Sequence, residues 1–167
     1  MYRRGWNVYT LDNDRKFDPD ECADVRIWQP PLTWNIHPDL IWCSPPCTEF
    51  ARESMPWSRT GEAPDLSIVR ACKRLIDKYQ PRYWVIENVR GALKWFSPIL
   101  GKPAYQCNPY FLWGNFPDIS HIRVRSHKEK LSSVQRADRA MIPEALSQGL
   151  AEAIEISRQL FEEVSHE

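Results

Sequence analysis

The chain lacks the features that would tie it to a membrane, an oxidising compartment or a repeat architecture. No run approaches the ~20 apolar residues needed to span a bilayer. Met1-Tyr-Arg-Arg-Gly5 leads straight into a strand-like segment, so no signal peptide is legible. The five cysteines are an odd number without disulfide-framework spacing. Cys43 and Cys47 form one C-x3-C pair with no second pair, whereas structural zinc wants four ligands. A reducing cytoplasm and no metal are therefore expected. Net charge is absent too: 22 basic residues balance 22 acidic ones. That argues against a uniformly basic nucleic-acid binder but leaves room for a local basic face, such as Arg123-Val-Arg125-Ser-His127-Lys128 continuing to Lys130. The six glycines give no Gly-x-Gly, and no repeat or low-complexity segment is present. What the chain does have is apolar material, 43% hydrophobic and 12% aromatic over 167 residues, enough for the core of one domain.

The organisation reads as alternating strands and helices. Trp6-Asn-Val-Tyr-Thr-Leu11 is rich in β-formers and ends at the acids of Asp12-Asn-Asp14. A short strand or turn falls around Ala23-Asp24-Val25. Leu40-Ile-Trp42 and Tyr83-Trp-Val-Ile86 are strands, and Val89-Arg-Gly91 turns away from the second. Asp65 is the expected N-cap of a helix running to about Tyr79, with Leu66, Val69, Cys72 or Lys73, and Ile76 at helical spacing and Pro81 as its end. Tyr110-Phe-Leu-Trp113 is β-like, and the alternation of Ile122-Arg-Val-Arg125 suggests an edge strand. A last helix opens at Ile142-Pro-Glu144, with Leu146, Leu150, Ala153, Ile154 and Leu160 on one stripe. The pattern predicts an α/β fold with a mostly parallel sheet.

Two runs carry the chemistry. Ile41-Trp-Cys-Ser-Pro-Pro-Cys47 and Trp84-Val-Ile-Glu-Asn-Val89 are each apolar and then break at reactive groups. Buried parallel strands deliver catalytic side chains from their carboxyl ends in this way. Cys47 offers a thiol, and Glu87 offers a carboxyl whose apolar neighbours would raise its pKa. Pro45 and Pro46 stiffen the backbone before the thiol by fixing φ. Cys43 reads as a small buried core residue, and Trp42 and Trp84 as core rather than base-stacking groups. In the loop 48–64, Arg52, Trp57 and Arg59 are the candidates for nucleic-acid contact, an aromatic among arginines being able to stack on bases.

Pro-Pro-Cys together with Glu-Asn-Val resembles the DNA cytosine carbon-5 methyltransferases, with a tail ending in Ile-Pro before an amphipathic helix like that of the shortened phage-type members. The resemblance implies a Rossmann-like methyltransferase fold, S-adenosylmethionine as methyl donor, and DNA with a flipped cytosine as partner. It implies Cys47 as the thiolate that adds to carbon-6 and Glu87 as the acid at ring nitrogen-3. By position it gives Arg125 the cytosine oxygen-2 and Arg123 the orientation of the pocket, with His121 standing where the family has a glutamine. It places Asp12, Asn13, Asp24 and Pro45 on the cofactor side, and Pro46 and Asn88 on the substrate side.

The chain departs from the family at two places. The first strand and its Phe-x-Gly-x-Gly loop are not found, and no separate recognition domain follows Arg125. The expectation is a single partial domain over residues 1–167. It would be a truncated or misassigned product, half of a split enzyme completed by a dimer partner or a complementing chain, or a degenerate copy acting as a binding module. Without a recognition domain, a thiol enzyme acting on free pyrimidine nucleotides is a further alternative.

Overall fold

The structure is a computed structural model describing residues 4–30, 37–52, 62–124 and 142–164. Among the described residues, two small sheets and four α-helices make a mixed α/β fold. Strands β1 (Leu11–Asp12) and β2 (Glu21–Cys22) pair in parallel as a separate ribbon. Strands β3 (Leu40–Cys43), β4 (Tyr83–Val89), β5 (Tyr105–Cys107) and β6 (Tyr110–Asn115) form the main sheet in the order β3-β4-β6-β5. Helices α1 (Thr48–Ala51), α2 (Ser67–Tyr79), α3 (Leu93–Leu100) and α4 (Glu144–Val164) complete the fold.

The expected mostly parallel sheet is corrected here. Only β1–β2 and β3–β4 are parallel; β6 runs antiparallel to both β4 and β5. The β5–β6 part has a local reason: Asn108-Pro109 forms a tight turn between these strands, and a tight hairpin allows only antiparallel pairing. The Trp6–Leu11 strand shrinks to Leu11–Asp12. Ile122–Val124 is no strand, although it follows the β5 edge: Tyr105 Oη donates to Ile122 O at 2.7 Å, and Val124 N donates to Cys107 Sγ at 3.4 Å.

Alternation of side chains across the sheet builds two cores. Ile86, Phe111 and Trp113 face α2 and α3, and meet Phe50, Val69, Cys72, Ile76 and Phe96. Phe96 packs between Phe50 and Trp113, with ring centroids 4.9 and 5.2 Å apart. Tyr83, Val85 and Leu112 face the other way, onto Leu146, Leu150 and Ile154 of α4. The amphipathic stripes of α2 and α4 thus face the sheet as their spacing predicts, except that Leu160 is exposed beyond the sheet. Helix α2 begins at Ser67, with Leu66 at the cap position; Asp65 instead accepts from Ser67 N and Oγ at 2.7 and 2.8 Å.

The segments that flank the small ribbon are held by two helices. From α2, Arg74 donates to the carbonyls of Val25 and Arg26, both at 3.1 Å. From α4, Glu155 accepts from Arg4 and from Trp6 Nε1, the latter at 2.7 Å. Among the described residues β1 pairs with β2 alone, and β3 with β4 alone. None of the described helices is long and apolar enough to cross a membrane.

Candidate functional site

The parallel β3–β4 pair fixes the site. Its register sets Cys43 beside Ile86, so the chain beyond Cys43 and the last residues of β4 leave the sheet at the same end. Glu87 points to the α4 face, opposite Leu112, and is only 9% exposed. Asn88 points to the other face and is fully buried. Its amide nitrogen donates to Pro45 O at 2.9 Å, while its Oδ1 accepts from Val89 N at 2.9 Å. The β3 exit loop is therefore pinned to the end of β4 by one side chain. Pro45 is buried and Pro46 exposed. Cys47 follows at the start of the short turn α1, half-buried, with its backbone carbonyl accepting from Ala51 N at 2.8 Å.

The electrostatics couple the two reactive groups. Burial raises the Glu87 carboxyl to about 7, against a smaller opposing effect from its hydrogen bond with the Ser44 hydroxyl. Desolvation disfavours a carboxylate far from water, which is the direction the apolar neighbours of Glu87 predict. Burial, and then the negative charge of Glu87, push the Cys47 thiol up. The same pair of causes raises Tyr110. Glu87 is thus poised to hold or release a proton near neutrality, and its charge is felt by both Cys47 and Tyr110.

Cys47, Glu87, Asn88, Pro45 and Pro46 come together at this rim. The other expected site residues do not join them. Arg52 caps α1, its backbone N–H directed to Phe50 O. Arg123 is exposed, and its guanidinium donates to the carbonyls of Ser120 and Ile122. Asp12, Asn13 and Asp24 sit on the small ribbon. Asp12 Oδ1 accepts from Asp14 N at 2.8 Å, and Asn13 is exposed. Asp24 is occupied by Arg26, whose Nε and Nη2 donate to it at 2.9 and 2.6 Å and hold its pKa down. Trp57, Arg59 and Arg125 lie outside the described residues.

Two residues join the site without having been expected there. Ser44 faces Glu87 and accepts from Trp42 Nε1 at 3.0 Å. Strand period would have found it, since Trp42 and Ser44 share a face. Tyr110 is placed by the antiparallel register of β6, for which no local sequence signal exists.

The residues implied for S-adenosylmethionine do not make a complete site. Asp24 is committed to Arg26, Asn13 offers no enclosed surface, and no Gly-x-Gly loop is present.

The chain is similar to the probable DNA (cytosine-5)-methyltransferase of Frog virus 3 (isolate Goorha), 32% identical over a stretch that covers 52% of this chain and 44% of the relative. That stretch spans less than half of the relative's length. No family model and no solved structure matches the chain.

Proposed function

We propose that this chain carries the cytosine-activating half of a DNA cytosine carbon-5 methyltransferase. The observation that supports this most is the coupled pair at one sheet rim: a thiol at Cys47 and a buried carboxyl at Glu87 titrating at about 7. Carbon-5 of cytosine is not nucleophilic in the intact ring. In this reading the Cys47 thiolate forms a bond to carbon-6. The ring double-bond electrons move toward carbon-5, and the Glu87 proton goes to ring nitrogen-3 to neutralise the charge that develops. A carboxyl ionised near neutrality can give that proton and take it back. Asn88 acts as a positioning residue, since it fixes the Pro45 loop that aims Cys47. The methyl group itself would come from S-adenosylmethionine, on a side of the site that these residues leave incomplete.

The experiment follows the half-reaction that needs no methyl donor. A carbon-6 adduct lets carbon-5 take up a solvent deuteron and lose its own proton before the sulfur leaves. DNA incubated with the chain in heavy water should therefore gain deuterium at cytosine carbon-5. Cys47→Ser should abolish the exchange, and Glu87→Gln should slow it strongly. No exchange by the parent chain would sink the reading.

The commitment of Asp24 to Arg26 favours a second reading, in which this is an inactive or split homologue whose donor side is supplied elsewhere or lost. Calorimetry separates the two: micromolar S-adenosylmethionine binding by the chain alone counts against it.

A further inference from the structure

A cleft of about 380 Å³ opens at the same end of β4 on the opposite face from Glu87, lined by Arg90, Leu93, Gln106, Asn108 and Phe111. Its position follows from the register. Arg90 leaves the end of β4, Asn108 sits in the β5–β6 turn, and Phe111 lies directly across from Asn88, the residue that pins the Cys47 loop. Its chemistry is divided. Phe111, with Leu93 beside it, gives an apolar floor. Arg90, Gln106 and Asn108 supply a guanidinium and two primary amides, and among the described residues none of the three has a hydrogen-bond or ion-pair partner.

Three unpaired polar groups of these types around an aromatic floor match one class of ligand. A guanidinium recognises a phosphate by paired donors. A primary amide presents a donor and an acceptor side by side, as the edge of a nucleobase does. A base ring stacks on an aromatic or apolar floor without demanding one sequence. The volume lies within the usual range for small-ligand sites.

We propose that this cleft holds the nucleotide next to the target cytosine in a DNA strand that crosses the carboxyl rim of β4. Arg90 takes its phosphate, and the Gln106 and Asn108 amides meet the base edge. The assignment rests on the proposed function for which base is the target. It would give the chain a preference at one neighbouring position without a recognition domain. The shared chemistry is that of a nucleoside 5′-phosphate, so a free nucleotide is the competing source.

The test is fluorescence anisotropy with a short labelled single-stranded DNA carrying one central cytosine, and with versions abasic at each neighbour. Arg90→Ala/Asn108→Ala alters exposed side chains. This variant should weaken binding about tenfold, the effect of losing a phosphate contact and one base-edge hydrogen bond. Lys78→Ala, an equal charge change on α2, should not. One abasic neighbour should weaken the parent more than it weakens the double variant, which has already lost the Asn108 contact to that base. Equal abasic losses in parent and variant, or unchanged binding by the variant, overturn the proposal. Competition by deoxycytidine 5′-phosphate at the affinity of the oligonucleotide overturns its strand-neighbour part. Carbon-5 exchange separates the two readings. Exchange without coupling of cleft to neighbour removes the cleft alone, and coupling without exchange removes the methyltransferase reading alone.

Discussion

The Asn88 amide donates to the Pro45 carbonyl oxygen at 2.9 Å, and this one bond ties the end of β4 to the loop that carries Cys47. Both ends are buried, so water cannot replace the bond when it is lost.

Asn88→Ala should therefore act twice. It leaves the Pro45 carbonyl without its donor and should lower stability by about 1–3 kcal/mol, read from urea unfolding. It also frees the Pro-Pro-Cys loop, so carbon-5 exchange should fall by more than any change in DNA affinity. Exchange unchanged in a destabilised variant would mean that the bond holds the fold but not the thiol.

The carboxyl of Glu87 makes a separate prediction about stability and pH. Its ordinary value of 4.5 is raised to about 7 in the folded chain. Between those values the folded state binds more protons than the unfolded state, so stability falls as pH rises through the window and levels off above it. The difference is on the order of 3 kcal/mol at most. Glu87→Gln should flatten that slope. Denaturation midpoints at pH 5, 6, 7 and 8 for parent and variant give the measurement, and parallel curves would show that Glu87 titrates normally.

The strands bearing these groups were legible because Ile41–Cys43 and Trp84–Ile86 are unbroken apolar runs that stop at polar residues. Helices α2 and α4 were legible from spacing. Helix α3 was not: Pro98 lies inside it, and Leu93-Lys-Trp-Phe-Ser-Pro-Ile-Leu100 has no polar face clear enough to show a period. Strand β5 is three residues long, too short for alternation to register. The Asn88 clamp was hidden because Glu-Asn-Val reads as an active-site motif, which says nothing about where an amide points. The placing of Tyr110 beside Glu87 followed from the antiparallel pairing of β6 with β4, a long-range contact that no local run of residues announces.

Two glycines test the packing around the site with opposite expectations. Gly114 on β6 has φ +156°, and a Cβ there would sit 1.9 Å from the Trp84 carbonyl oxygen. Backbone cannot step aside without parting β4 from β6, so Gly114→Ala should cost about 3 kcal/mol or more. Gly149 on α4 would place its Cβ 2.2 Å from Ile122 Cδ1, the tip of a side chain that can turn. Alanine gains about 1 kcal/mol of helix propensity there, so Gly149→Ala should stay within about 1 kcal/mol of the parent. Thermal unfolding compares them, and equal losses would show that Ile122 is as rigid as the strand backbone.

The sharpest test of the coupled pair uses the thiol as its own probe. The charge on Glu87 helps to raise Cys47, and that charge develops only as Glu87 ionises at about 7. A thiolate, not a thiol, is alkylated. At pH 8 the Glu87→Gln variant should therefore react with iodoacetamide at Cys47 faster than the parent. At pH 6 most of the parent's Glu87 is protonated, so the two rates should converge. Peptide mass spectrometry isolates Cys47 from the other four cysteines, and Cys47→Ser supplies the blank. A Glu87→Gln advantage that persisted unchanged at pH 6 would point to a change in access rather than in charge. No advantage at pH 8 would mean that the two groups do not feel each other, which would remove the electrostatic basis of the proposed site.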